Sequence, residues 1–169
     1  MEELLEELSK VVESGFYSIA LFTSLALPDI CAAIESDDGR ASGPQYKAWF
    51  DKWVAHKYTK MPEGRINLTG ETCWAYRCGL LHQGKAMHEK LGYSRILFLP
   101  PSQLSVHNCR ANGAFVIDIP TFVSDVSSSV LAWMDRVKGT DNFERHYPNL
   151  MRRHAGGLRP YFEGIDVYS

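Results

Sequence analysis

The sequence predicts a mainly α-helical single domain: a helical bundle, a small antiparallel β-hairpin or meander, and a C-terminal helix. Apolar residues recur at helical spacing through most of the first 92 positions. A shorter stretch then alternates apolar and polar residues around an Asn-Gly pair, which is a strong hairpin signal. The 169 residues, 45% hydrophobic and 22% charged, suit one compact domain. We expect a helical core at 1–92, a β region at 93–119, and a C-terminal helix with a basic tail at 120–169.

Two helices are predicted at the start of the chain. Leucines and valines recur at helical spacing over residues 2–14, with Glu and Lys between them, and this helix should end near Gly15. A second helix, apolar on nearly every face, should run from Phe16 to about Glu35. Pro28 must kink or restart this helix, because its ring removes one backbone hydrogen bond.

Two further helices complete the predicted bundle. Pro44 suits the first position of a helix whose aromatic residues recur at i, i+3, i+4 and i+7. This aromatic stripe comprises Tyr46, Trp49, Phe50 and Trp53. We expect it to be part of the core, with base stacking as the alternative. Thr69 should cap a central helix that continues to about Leu91 and stops at Gly92.

The pattern changes after Gly92. Residues 94–99, 104–109 and 114–119 are predicted strands, with Asn112-Gly113 turning between the last two. A helix should then open at Pro120 and end near Lys138. The tail beyond it should hold at most one short helix.

Charge is unevenly distributed although the net charge is only −2. Residues 1–40 carry nine acidic side chains and two basic ones, whereas residues 136–159 carry six basic and two acidic. This asymmetry suits self-association or a local anion site, and two solvated faces are the alternative. Within the basic tail, Arg152 and Arg153 are the candidate nucleic-acid-binding residues.

The compartment is predicted from the N-terminus and the cysteines. The first eight residues are too acidic for a signal peptide, and polar residues interrupt the apolar run at 16–34, so we expect no membrane span. The four cysteines lack C-x-x-C spacing and the density of a secreted scaffold. A reducing cytoplasm is the expected location.

Arg77 and His82 are the candidate catalytic residues. Five positions rotate the second side chain about 140° from the first and raise it about 7.5 Å along a helix, so the long guanidinium can lean toward the imidazole. Cleaving RNA needs a base for the 2′-hydroxyl proton, an acid for the leaving oxygen, and positive charge on the phosphoryl oxygens. Imidazole and guanidinium supply most of that chemistry without a metal or cofactor.

The segment Arg77-Cys-Gly-Leu-Leu-His82 resembles the R-x-x-x-x-H motif of the HEPN superfamily, which contains helical RNases and nucleotide-binding modules. The resemblance covers about residues 1–92. It implies a metal-independent endoribonuclease of toxin or defence type, a homodimer whose two motif helices form one cleft, an RNA substrate, and an antitoxin partner. It also implies a supporting polar residue from an earlier helix, for which Asp29 is the candidate.

Two alternatives stay open at this stage. Family members that have lost activity keep the same fold, so the chain is alternatively a silent module that binds RNA, nucleotide or protein. In the other alternative, Arg77 pairs with an acid such as Asp29 or Glu35 while His82 caps a carbonyl. These residues then form a polar contact between helices that has only a structural role.

Two other constellations are weaker candidates. Four potential zinc ligands are predicted on the central helix, namely Cys73, Cys78, His82 and His88. One straight helix cannot arrange all four tetrahedrally, so no metal site is expected. His107 and Cys109 share one side of a predicted strand but have no evident orienting partner, and structural packing is the expected role.

Overall fold

The structure is a computed structural model that describes residues 1–60, 64–85, 95–102 and 106–169. Its α-helices are α1 (Glu2–Glu13), α2 (Tyr17–Glu35), α3 (Gly43–Trp53), α4 (Gly70–Gln83), α5 (Ile119–Val137) and α6 (Asp141–His146). Its strands are β1 (Thr59–Lys60), β2 (Arg65–Ile66), β3 (Ile96–Leu99), β4 (Cys109–Ala111), β5 (Ala114–Asp118), β6 (Arg153–His154), β7 (Gly157–Leu158), β8 (Phe162–Glu163) and β9 (Val167–Tyr168). The predicted mainly α fold with a small β-hairpin is confirmed.

Helix α2 is the centre of the bundle. It packs against α1, α3, α4, α5 and α6, which explains why its sequence is apolar on nearly every face. The helix runs through Pro28 without restarting, and Pro28 is itself buried. Its polar Ser24 is also buried, where the hydroxyl donates to the Ala20 carbonyl at 2.8 Å and so satisfies its hydrogen-bonding need.

The aromatic stripe of α3 belongs to the core, as predicted. Tyr46, Trp49 and Phe50 are buried, whereas Trp53 is partly buried at the edge. The Trp49 ring meets the fully buried Trp133 of α5 edge-on, with 6.3 Å between centroids. The stripe therefore joins α3 to α5, and its three buried rings are not available for stacking on a base.

Among the described residues, α2 alone has the length and apolar composition of a membrane span. Half of its most apolar window is buried against the other helices. The buried core helix of a globular protein has the same length and apolar composition, so these two properties are weak evidence for a membrane span here.

The central helix α4 is shorter than predicted, and its predicted end at Leu91 is wrong. Thr69 caps it as expected, accepting from the Thr72 amide at 3.2 Å. The helix ends at Gln83 because Gly84 adopts a left-handed conformation with φ +65°, and its amide donates back to the Leu80 carbonyl. Helical periodicity cannot distinguish this glycine from Gly92, and residues 86–94 lie outside the described part.

The small sheet differs from an all-antiparallel meander in one pairing. Strands β4 and β5 form the predicted hairpin around Asn112-Gly113, and both turn residues have positive φ. However, β3 lies on the other side of β5 and runs parallel to it, giving the order β3-β5-β4. The predicted second strand at 104–109 begins outside the described residues, and β4 starts only at Cys109. Strand direction depends on this intervening connection, which periodicity does not encode.

The tail contains more structure than predicted. After α6 and a 3₁₀ turn at 147–149, four two-residue strands pair as β6 with β9 and β7 with β8, both antiparallel. Reciprocal hydrogen bonds between Arg152 and Ser169 close the outer pair. Strands of two residues are too short to produce an alternating sequence pattern.

Candidate functional site

The structure brings three sequence-predicted site residues together between α2 and α4. Arg77 Nη1 lies 2.6 Å from His82 Nε2, and Arg77 Nη2 lies 2.7 Å from Asp29 Oδ2. Arg77 therefore bridges the two helices and links the carboxylate to the imidazole. The Arg77 and Asp29 side chains are only 17% and 18% exposed, whereas His82 is exposed.

The contact with Arg77 assigns a role to Nε2 of His82. Guanidinium has only donors, so Nε2 is the acceptor in this pair. In the neutral ring, the proton then lies on Nδ1 and the lone pair of Nε2 faces Arg77. Nε2 can therefore act as a general base only after Arg77 has turned away from it.

The contact between Arg77 and Asp29 is a close ion pair with poorly aligned hydrogen bonds. Asp29 Oδ2 and Arg77 Nε are both buried, and neither has an aligned hydrogen-bond partner in the described part of the chain. Burial raises the pKa of Asp29 above its ordinary value, and the opposing pull of Arg77 does not cancel this effect. The cluster therefore holds a carboxylate that gains a proton easily and a buried Nε–H donor without an acceptor.

The early end of α4 determines where His82 lies on the helix. Because the helix stops at Gln83, His82 lies in its last turn, close to the terminal carbonyl groups. The side chain is exposed there, so a ligand can reach the imidazole.

Trp74 is a member of the cluster that was not among the site residues predicted from sequence. The Arg77 guanidinium lies over its ring, 5.0 Å from the centroid, and Tyr46 packs against the same ring at 5.0 Å. The signal was present in the sequence, because residues three positions apart are neighbours on a helix. Trp74 fixes the direction of the guanidinium.

The two tail arginines are not part of this cluster in the described structure. Arg153 donates from Nε to Asp166 Oδ2 at 2.8 Å, and its Nη1 lies 3.9 Å from Glu3 Oε1. Arg152 lines a small cleft with residues of α1. The basic tail thus meets the acidic front of the same chain, and nucleic-acid binding by Arg152 and Arg153 stays a prediction.

The weaker constellations have other environments. Among the described residues, no group of three or more His, Cys, Asp or Glu side chains is arranged to hold a metal ion, and His88 lies outside them. Burial raises the pKa of the Cys73 thiol to about 12. His107 Nδ1 accepts from the Asp118 amide at 3.2 Å at the start of α5. These contacts are those of packing residues.

No protein-family model, no curated protein and no solved structure matches the chain.

Proposed function

We propose that the protein is a HEPN-type, metal-independent endoribonuclease whose catalytic residues are Arg77 and His82. The observation that carries the proposal is the 2.6 Å contact in which His82 Nε2 keeps a lone pair facing an arginine. A proton acceptor and a fixed positive charge are then adjacent, as transfer of the RNA phosphoryl group requires.

In the proposed reaction, His82 Nε2 removes the proton of an RNA 2′-hydroxyl, whose oxygen attacks the neighbouring phosphorus. Arg77 turns its terminal nitrogens from His82 and Asp29 to the phosphoryl oxygens and stabilises the charge that develops on them. The 5′-oxygen leaves with the proton that His82 has taken up, and a 2′,3′-cyclic phosphate remains. Asp29 orients Arg77 in the resting site and releases it when phosphate binds.

We further propose that the active species is a homodimer. The support is an apolar stripe on α2 formed by Phe16, Ile19 and Phe22, which are 59%, 55% and 41% exposed. Phe22 and Asp29 are seven positions apart, so the end of the stripe at Phe22 lies on the same face of the helix as Asp29. A second copy on this face would cover the stripe and bring a second Arg77 and His82 to the same cleft.

One observation favours the silent binding module as the second candidate. Arg77 is held on three sides, by Asp29, His82 and the Trp74 ring, and its side chain is only 17% exposed. An arginine already satisfied in this way suits anion binding without turnover. In either case we propose a cytoplasmic location, and an antitoxin is the expected partner of the active form.

The decisive experiment is RNA cleavage in the presence of a chelator. Purified protein should cut single-stranded RNA and leave 2′,3′-cyclic phosphate ends, whereas DNA of the same sequence should survive because it lacks the 2′-hydroxyl. His82→Ala and Arg77→Ala should each lower the rate about 10²-fold or more, and the double variant should lose little beyond that.

His154→Ala is the matched control, because this histidine contacts Ser169 in the tail, away from the described cluster. Its rate should equal that of the parent. Parental activity in the Arg77/His82 double variant would assign the cleavage to another site or a contaminant. RNA binding that needs Arg77 without any cleavage would establish the silent module.

A further inference from the structure

A cavity opens between α2, the 37–39 loop and residues 146–150 at the end of α6 and beyond it. Its volume is about 390 Å³, within the size range of small-molecule sites. Ile30, Ala33 and Leu150 contribute apolar side chains to its lining, and Asp38, His146 and Asn149 contribute polar groups. An apolar lining with a few polar groups suits a heterocyclic ligand.

The cavity and the Arg77 cluster are both built on α2. Ile30 directly follows Asp29, and Ala33 is one helical turn beyond Asp29, about 6 Å along the axis. Arg77 reaches Asp29 from α4, whereas the opposite wall of the cavity comes from residues 146–150. The cluster and the cavity therefore lie close along α2, on directions about 40–100° apart around the helix axis.

The cavity wall is held rigidly. Asn142 Nδ2 donates to the Glu35 carbonyl and to Asp37 Oδ1, both at 3.0 Å, which ties α6 to the loop. Gly39 has φ +72° and packs so closely that a Cβ there would come within 2.9 Å of His146 Nδ1. The backbone of this wall is therefore in place before a ligand arrives, which lowers the ordering cost of binding, whereas the His146 ring must still turn.

His146 carries an unexplained polar atom. Its Nε2 is buried and has no hydrogen-bond partner in the described part of the chain. Leaving such a group unmatched costs about 1–3 kcal/mol, so it calls for an explanation. A polar group of a ligand in the cavity supplies the missing partner after a small rotation of the ring.

The carboxylate selects among the bases. Asp38 Oδ1 already accepts from the Arg40 amide at 3.0 Å, which fixes the carboxylate at the rim. A carboxylate recognises two adjacent N–H donors best. Guanine presents such a pair at N1 and the exocyclic amino group, whereas adenine and cytosine present a single amino group there and uracil a single ring N–H.

We propose that this cavity is a guanine-binding subsite, which makes an RNA guanosine the preferred residue beside the scissile phosphate. The apolar lining packs against the base, Asp38 accepts from its Watson–Crick edge, and His146 and Asn149 bind its remaining polar atoms. The preference for a guanosine beside the scissile phosphate rests on the proposed ribonuclease function. Binding of guanine in the cavity does not depend on that function.

The first test is titration with mononucleotides, observed by NMR through the imidazole nitrogens of His146, whose signals are assigned with a His146→Gln variant. Guanosine monophosphate should shift the Nε2 resonance and bind about tenfold more tightly than adenosine monophosphate. Inosine monophosphate, which lacks the amino group, should fall between them. Equal affinity for all three, or no shift at Nε2, would overturn the assignment.

Variants locate the site. Ala33→Leu should fill part of the cavity and weaken guanosine monophosphate binding at least about tenfold. The control is Ala26→Leu, which makes the same change on the same helix outside the cavity lining and should bind like the parent. Asp38→Asn should remove the preference for guanine over adenine. If Ala33→Leu binds guanosine monophosphate as tightly as the parent, the nucleotide binds outside this cavity and the proposed site is refuted.

Cleavage assays separate the two proposals. The parent protein should cut an RNA that contains a single guanosine next to that guanosine. The Ala33→Leu variant should still produce cyclic phosphate ends but should no longer prefer the guanosine. Uniform cleavage at all bases would leave the ribonuclease standing and overturn the guanine subsite. If the parent protein cuts no RNA but guanine still binds to it and to the Arg77→Ala variant, the guanine subsite is supported and the ribonuclease is refuted.

Discussion

Replacing Arg77 by Ala should destabilise the fold, and by more at high pH than at low pH. The variant loses the stacking on Trp74, the hydrogen bond to His82 and the counter-ion of Asp29. The first two contributions are about 0.5–1 and about 0.5–1.5 kcal/mol. Leaving a fully buried charge unpaired costs about 3–5 kcal/mol, and residual exposure lowers that cost here. We expect a total loss of about 2–4 kcal/mol near pH 8.

The pH dependence follows from Asp29. Burial raises the pKa of this carboxyl in the folded protein, and losing Arg77 removes an influence that lowers it. The folded variant therefore takes up a proton at Asp29 at a higher pH than the unfolded chain does. As the pH falls through this folded-state pKa, the unpaired charge disappears and the destabilisation shrinks.

Urea unfolding followed by circular dichroism near pH 8 and near pH 5 measures both quantities. Adding Asp29→Asn to the Arg77→Ala variant should abolish the pH dependence, because no carboxyl remains to titrate. Arg159→Ala is the surface control, since this side chain is 82% exposed, and it should change stability by less than about 0.5 kcal/mol. An Arg77→Ala loss that is equal at both pH values would show that Asp29 does not depend on this partner.

Three other predictions test the fold and assembly. Trp49→Ala should cost about 3–5 kcal/mol because the side chain is 3% exposed against Trp133, and an unchanged melting temperature would contradict its core role. Gly84→Ala should cost about 1–2 kcal/mol, because an L-residue must enter the left-handed region that ends α4, and a neutral effect in denaturant melts would mean another end to the helix. Light scattering should give twice the 19.1 kDa chain mass, whereas Ile19→Glu should give one chain mass, and a monomeric parent would remove the composite site.

The helices were predictable from sequence because each buries a continuous apolar face. The repeats that predict α1, α3 and α5 survive in the structure nearly residue for residue, since burial of those faces is what stabilises them. The end of α4 was missed because Gly84 and Gly92 are equally good stop signals in sequence. The parallel pairing of β3 and the four tail strands were missed because pairing partners lie far apart in the chain or span only two residues.

For the candidate site, sequence identified the residues without their arrangement. The spacing of Arg77 and His82 allowed contact within one helix, but no local pattern fixes Asp29, which reaches Arg77 only because α2 packs on α4. His146 was not considered at all, since a histidine in a short helix gives no signal. Its relation to the 37–39 loop exists only in the folded chain.

The packing of α2 against α5 has a consequence for the order of events during synthesis. Residues 1–92 carry the whole Arg77 cluster, yet α2 depends on a helix that begins at Ile119. Trp133 of α5 is fully buried and donates to Glu35 at 3.0 Å, so a chain ending at residue 92 would expose the apolar surface that Trp133 covers. A growing chain thus emerges with every cluster residue present but without the helix that completes its core. We therefore expect the site to be assembled only when translation has passed α5.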